Sequence, residues 1–359
     1  MPEIRVALVG VGNSASALLQ GTEYYKKAKE DETVPGLMHV NFGGYHVRDV
    51  KIVAAFEANK NKIGKDLSEA IFTKPNCVVK FAAVPHLGVK VSPGKILDGV
   101  AQHMKEPFHA YDDKRTTTGS IVETLEKARA EMLVNYLPVG SKDATRFYAQ
   151  AALDAGCAFI NCMPEFIASD QTWSRKFLEK GLPVAGDDVK SQLGATILHR
   201  NLVRLCVDRG IAIDETYQLN LGGDTDFLNM TVEERLKTKR ISKTEAVTSL
   251  VPYDLPTRIG PSDYVPFLEN RKICYIWLKG RKFGDRPLTV SLKLEVEDSP
   301  NSAGVVIDVI RAARIALDRK ISGQLLSISS YAFKHPPIQV QDGIARQAVE
   351  EYIQGKRER

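Results

Sequence analysis

The sequence predicts an α/β protein: a doubly wound, mostly parallel sheet interrupted by an inserted α+β unit. Three observations carry that expectation. A short apolar run ends in a glycine turn and a small-residue helix. Apolar runs then alternate with segments of helical period, the pattern of a parallel sheet covered on both faces. From about residue 211 long alternating strands take over, before a helix returns near the end.

Ile4–Val9 is the apolar run, and GVGNSASALLQG follows at once from Gly10. Gly10 permits a tight turn, and Gly12 has no side chain to hold off a pyrophosphate. Ala15 stands where a third small residue lets helix and strand pack closely. The start of the helix, with Asn13 and Ser14, offers free N–H groups to phosphates. These are the parts of a Rossmann-type dinucleotide-binding unit. An acidic residue for the adenosine ribose is expected about twenty residues on. Here the second strand, Lys51–Phe56, ends in Glu57, and the stretch Thr22–Asp49 reads as a loop over the site. Glu57 favours NAD, while Lys60 and Lys62 keep NADP open.

Glu131–Pro138 reads as the next strand. A helix follows from an N-cap at Ser141, with Asp143 in its first turn and Gly156 to stop it. Ala158–Pro164 is a strand, Gln171–Lys180 a helix, and Leu182–Gly186 a strand leading into Asp187 and Asp188. Ligands of such sheets bind beyond the carboxyl ends of the strands. That rule gathers Gly10, Glu57, Pro138 to Ser141, Met163–Pro164 and Asp187–Asp188 in one place.

In the second half, Leu288, Val290, Leu292, Leu294 and Val296 alternate along one strand, with Lys272–Gly280 and Asp214–Gly223 as partners. One face of this sheet needs covering and little sequence remains to cover it, so a partner subunit is expected. The amphipathic segment Ser299–Arg319 returns the chain to the nucleotide-binding part. The expected division is 1–198 and 298–359 for the dinucleotide-binding unit and 199–297 for the inserted one.

Composition narrows the function. Forty-nine basic against forty-four acidic residues give a net charge of +5, too slight to argue for nucleic acid. The lysine runs Tyr24–Lys29 and Asn59–Lys65 and the terminal KRER read as solvated faces. Five scattered cysteines without a CxxC point to a reduced, cytoplasmic setting and away from a thiolate zinc site. No apolar stretch reaches membrane-spanning length. His199 and His335 read as structural residues. In TVEERLKTKRISKTEA, from Thr231, both Thr231 with Glu234 and Ser242 with Glu245 fit a capping box. Lys239 and Lys243, four apart, share a helical face that taken alone reads as solvated.

Seven blocks in order, G10-VGNSASALLQG, V34-PGLMHV, G186-DDVKSQ, L221-GGDTDFLNM, I241-SKT, D298-SPNSAG and S330-YAFKHPP, resemble the myo-inositol-1-phosphate synthase family in its shorter prokaryotic branch. The resemblance covers essentially the whole chain. It implies conversion of glucose 6-phosphate to an inositol phosphate, with NAD reduced and then reoxidised, in a homo-oligomer taken as a tetramer. It carries the catalytic lysines onto Lys239, Lys243, Lys272 and Lys334. Lys239 is then the base near the C5 hydroxyl, Lys272 and Lys334 stabilise the O5 anion, and Lys243 lies toward C1 or the phosphate. Asp188, Asp226 and Asp298 orient the lysines or the nicotinamide end. Ser191, Gln192 and Lys243 hold the phosphate.

Two departures from the family pattern stand out. Asp224 occupies a position where Asn is usual, which leaves a divalent cation open, and the Lys190-SQLGAT loop differs from the SGQTK loop of longer relatives. The same nucleotide-binding half also suits a sugar-phosphate dehydrogenase with net hydride transfer, or an NAD-sensing scaffold.

Overall fold

The computed structural model describes residues 3–359. Its larger sheet has seven strands in the order Gly323–Gln324, Pro183–Gly186, Ala158–Asn161, Met132–Asn135, Ile4–Val9, Val50–Glu57 and Ser92–Pro93. Every pairing in it is parallel. The central strands are mostly apolar and almost wholly buried because helices cover both faces. On one face lie the helices Asn13–Tyr25 and Asp298–Asp318, which bring Ala15, Leu18, Val306 and Ile310 against Val6 and Leu8. On the other lie Thr118–Lys127, Lys142–Asp154 and Gln171–Glu179, with Ile121, Tyr148 and Phe177 against Ala7, Leu133 and Phe159. The C-terminal segment thus returns to this sheet, as its short edge strand shows.

The inserted sheet runs Thr257–Tyr264, Ala212–Gly222, Arg271–Lys282, Arg286–Glu297. Its first pair is parallel and the other two antiparallel. Cys274 and Ile276 face the Ala195–Asp208 helix, and the register places Leu294 and Leu292 beside them on that face. The opposite face carries Tyr217, Leu219 and Tyr275, each about two-fifths exposed, and Tyr217 stacks on Trp277 at 5.3 Å.

Local structure corrects several expectations. The stretch Thr22–Asp49 does not lie over the site. Leu37, Met38 and Phe42 carry it into the core, where Met38 N donates to Asp308 at 3.0 Å and Arg311 to Val40 O at 2.8 Å. The segment over the site is instead the largely irregular one after Glu57, which contributes Pro75, Asn76, Lys95 and Ile96. Neither capping box forms. A 3-10 turn, Glu233–Leu236, leads straight into the helix Lys237–Thr248, so Ser242 lies inside that helix and is fully buried. Ser141 does occupy an N-cap position, but its hydroxyl donates to Pro138 O at 2.5 Å. The helix is capped by Asp98, which accepts from Asp143 N and Ala144 N at 2.8 and 2.9 Å.

Candidate active site

A cavity of about 240 Å³ opens at the carboxyl ends of the parallel strands, where strand order reverses about Ile4–Val9. Its first wall is the glycine turn. Gly10 has φ +91°, and a Cβ there would meet Tyr136 O at 2.7 Å, so strand packing itself requires glycine. Gly12 differs: a Cβ there would meet nothing within 4 Å, so open space faces it. The Asn13–Tyr25 helix starts at Gly12 without a side-chain cap, which leaves its first N–H groups free for an anion. Asn13 and Ser14 line the cavity, and Asn13 also braces the covering segment by accepting from Cys77 N at 2.9 Å. Ala15 is fully buried against the sheet.

Glu57 lines the cavity but is already engaged. Its carboxylate accepts from Val11 N at 3.0 Å, Ala58 N at 2.6 Å and Asn59 N at 3.1 Å. Lys62, expected on a solvated face, is about 1% exposed and donates to Val11 O at 2.8 Å and Asn76 Oδ1 at 2.7 Å. Its ammonium lies 3.6 Å from Glu57. Burial lowers the Lys62 pKa, and Glu57 opposes the shift. Both polar groups of the Val11 peptide are therefore clamped, one by each member of this pair. An acidic group, a rigid glycine turn and an open helix start fit a dinucleotide.

Lys239, Lys272, Lys334, Asp188, Asp226 and Asp298 line the other end of the same cavity. Lys334 Nζ donates to Asp188 Oδ1 and to Val189 O, both at 2.8 Å. Lys272 Nζ donates to both oxygens of Asp298, at 3.2 and 3.1 Å. Lys239 lies 3.9 Å from Asp226. Burial works against the charge on Asp188 and Asp298, yet Lys334 and Lys272 respectively hold each carboxyl below its ordinary range. Lys272 is raised, because Asp298 outweighs its burial. Lys334 is lowered, by burial and Lys239, in spite of Asp188.

Lys243 is buried behind this row and outside the cavity lining. Burial, then the crowding of Lys239, Lys272 and Lys334, drives its pKa well below the ordinary lysine value. Among the described residues no hydrogen-bond acceptor meets its ammonium. Lys243 is thereby held toward its neutral form, while Lys239, Lys272 and Lys334 are matched by Asp226, Asp298 and Asp188. Ser191 lines the cavity, whereas Gln192 is exposed and its N–H is taken by Asn301 O at 2.7 Å.

Two acidic residues have other surroundings than expected. Asp187 is fully buried outside the cavity lining, where it accepts from Asn161 Nδ2 at 2.7 Å and from the N–H groups of Ile167, Ala168 and Ser169. It braces the turn that presents Asp188. Asp224 caps the short Thr225–Asn229 helix, accepting from Asp226 N and Phe227 N at 3.0 and 3.1 Å. Burial, then Asp226 and Asp298, push its carboxyl up to about 7. Among the described residues no group of three or more His, Cys, Asp or Glu is arranged to hold a metal ion. Pro138 lines the cavity and Ser141 lies behind it, fully buried.

Sequence reasoning missed Asn76, Asn270 and Ser242. Asn270 Nδ2 donates to Ser299 Oγ at 3.0 Å and to Asp224 at 3.3 Å, which ties the Asp298 end to the Asp224 cap. No local pattern marks these residues, because each acts across segments far apart in the chain.

Comparison with known proteins places this geometry in context. The family model described as myo-inositol-1-phosphate synthase matches residues 194–299. Over 356 residues the chain is 53% identical to an inositol-3-phosphate synthase of Mycobacterium tuberculosis (strain CDC 1551 / Oshkosh), covering 98% of this chain and 96% of that protein. Over 360 residues it is 52% identical to an inositol-3-phosphate synthase of Mycolicibacterium smegmatis, covering 98% of each. The crystal structure of Ari2 superposes with a TM-score of 0.80 at 32% identity, over 98% of this chain and 99% of that one.

Proposed function

The chain belongs to the myo-inositol-1-phosphate synthase family, and from that premise we propose that its cavity converts glucose 6-phosphate to an inositol phosphate without net redox change. The sequence of events is oxidation at C5, enolisation at C6, closure of C6 onto C1, and reduction at C5. The observation that carries this reading is the lysine cluster. Three lysines line the cavity at the far end from a dinucleotide cradle, with a fourth behind them. Simple oxidation needs one base, whereas an enolate and two alkoxides call for several fixed cations where charge develops.

NAD, bound at the glycine turn, supplies the acceptor and then the donor of the C5 hydride. The protein's own part is binding, orientation and proton handling. Gly12 and the open helix start receive the pyrophosphate, and Glu57 with Lys62 keeps that turn rigid. Lys239 takes the C5 hydroxyl proton. Lys334 and Lys272, each oriented by its aspartate, stabilise the oxygen at C5 as anion and as ketone. Lys243, held toward its neutral form, regains its proton when the phosphate or the C1 alkoxide arrives.

The protein is read as a cytoplasmic homo-oligomer, a tetramer, built on the open face around Tyr217, Leu219, Tyr275 and Trp277. Sedimentation of the native chain and of Trp277→Glu tests this; a monomeric native chain would remove it.

A phosphorus NMR time course with glucose 6-phosphate and substoichiometric NAD tests the reaction. Inositol phosphate accumulating beyond the NAD supplied, with no net NADH, is the expected result. Conversion that stops at one equivalent of NAD with matching NADH would make the protein a dehydrogenase. The same course after chelation, then with magnesium or zinc restored, shows whether a divalent cation contributes.

A further inference from the structure

The Lys237–Thr248 helix meets the nucleotide-binding part through a row of polar contacts. Thr238 Oγ1 donates to Glu165 Oε1 at 2.8 Å, Ser242 Oγ donates to Asp188 Oδ2, and Glu245 pairs with His335 Nε2 at 2.9 Å. His335 is itself held flat on Phe166, 3.9 Å between ring centres. Positions 238, 242 and 245 are spaced four and three apart, so they form one stripe on the helix. Lys239 and Lys243 each follow a member of that stripe by one residue, and so lie about 100° round the axis.

We propose that Ser242 is a positioning residue for the reaction: its hydroxyl holds one oxygen of Asp188 so that the other is presented to Lys334. The inference rests on the function proposed above. Asp188 is about 2% exposed and its backbone has φ +61°, so its side chain has little freedom and no water to lean on. Its Oδ1 is taken by Lys334 at 2.8 Å, and Ser242 satisfies Oδ2. Without that donor a buried carboxylate oxygen is left unpaired, and the cheapest remedy is rotation to share Lys334 between both oxygens. Such a rotation would move the ammonium that faces the C5 oxygen. Helix formation does not account for the residue, since serine is a poor choice inside a helix. Capping does not account for it either, because the helix begins five residues earlier.

Ser242→Ala and Ser242→Thr test the proposal, with Thr238→Val as a control that cuts the same stripe at Glu165 rather than at Asp188. For Ser242→Ala the expected result is a kcat about tenfold lower, as for one lost hydrogen bond to a charged group. KM for glucose 6-phosphate and calorimetric NAD affinity should stay within about twofold. Ser242→Thr, which keeps a hydroxyl at the same place, should recover most of the rate, and Thr238→Val should retain nearly all of it. A crystal structure of Ser242→Ala should show Asp188 rotated and Lys334 displaced, whether or not the wild type turns glucose 6-phosphate over. Equal losses in Ser242→Ala and Thr238→Val would mean general docking and overturn the proposal. So would a threonine variant as slow as the alanine one, or an unchanged Asp188–Lys334 pair in the crystal. Absence of turnover in the wild type would fail the functional reading instead and leave the crystallographic result to decide.

Discussion

Lys334 Nζ lies 2.8 Å from Asp188 Oδ1, and the two residues reach each other from segments about 146 positions apart. Asp188 is held by the strand end at Gly186, and Lys334 by backbone pairing, with Lys334 N donating to Asp188 O at 2.7 Å. The pair is therefore fixed at backbone and side chain together. Each partner of a buried pair is costly to remove alone, because the other charge is stranded. Asp188→Asn should lower kcat by about a hundredfold or more, since Lys334 loses both its orientation and the charge that sustains its proton. NAD affinity, measured by calorimetry, should change little. The pair also has a pH signature. Asp188 and Asp298 both have lowered carboxyl pKa values, so the stability they contribute is complete above about pH 4. It is lost as pH falls through those lowered values. Acid unfolding of Asp188→Asn should accordingly show a shallower dependence on pH than that of the wild type.

The two glycines of the turn separate folding from binding. Gly10→Ala places a Cβ 2.7 Å from a backbone oxygen at φ +91°, and neither the strand nor Tyr136 O can yield cheaply. A loss of stability of about 2–3 kcal/mol is expected, read by denaturant unfolding without ligand. Gly12→Ala meets no protein atom within 4 Å. Its unliganded stability should match the wild type, while NAD affinity falls about tenfold or more as the methyl group enters the pyrophosphate's space. Unchanged NAD binding in Gly12→Ala would place the cofactor elsewhere.

What was legible in the chain follows from how local each cause is. The glycine turn could be read because Gly10 and Gly12 answer to neighbours one strand away. The alternation of strand and helix could be read because burial on both faces makes whole runs apolar. Lys239 and Lys243 could not be told from a solvated helix by spacing, and only the family resemblance singled them out. Ser242 was misread because Ser-x-x-Glu is a true capping spacing, and nothing local shows that the helix has already begun. Lys62 was misread for a related reason. It looks solvated until the segment carrying Asn76, which has no periodicity of its own, closes beside it. Glu57 ends its strand beside the cavity, as the sequence predicts, but its three backbone donors are visible only in three dimensions.

Lys239 lines the cavity 3.9 Å from Asp226 and makes no closer pair among the described residues, so its removal strands no tightly held partner there. Lys239→Ala should fold normally and bind NAD as the wild type does. Turnover of glucose 6-phosphate should fall by about a thousandfold, the scale of losing a general base. Equal loss of NAD binding and turnover would remove Lys239 from the chemistry and make it part of the cofactor cradle.

Asp224 gives the sharpest pH test, because its carboxyl is pushed up to about 7 by burial and by Asp226 and Asp298. Between about pH 4 and pH 7 the folded chain holds this proton and the unfolded chain does not. Stability must therefore fall as pH rises across that window. Asn keeps the cap, since it is as good an N-cap residue as Asp, and it carries no charge to bury. Asp224→Asn should melt several degrees higher than the wild type at pH 8, with the gap narrowing as pH falls toward 4. Scanning calorimetry across that range decides it. A constant gap would mean that Asp224 does not titrate near neutrality.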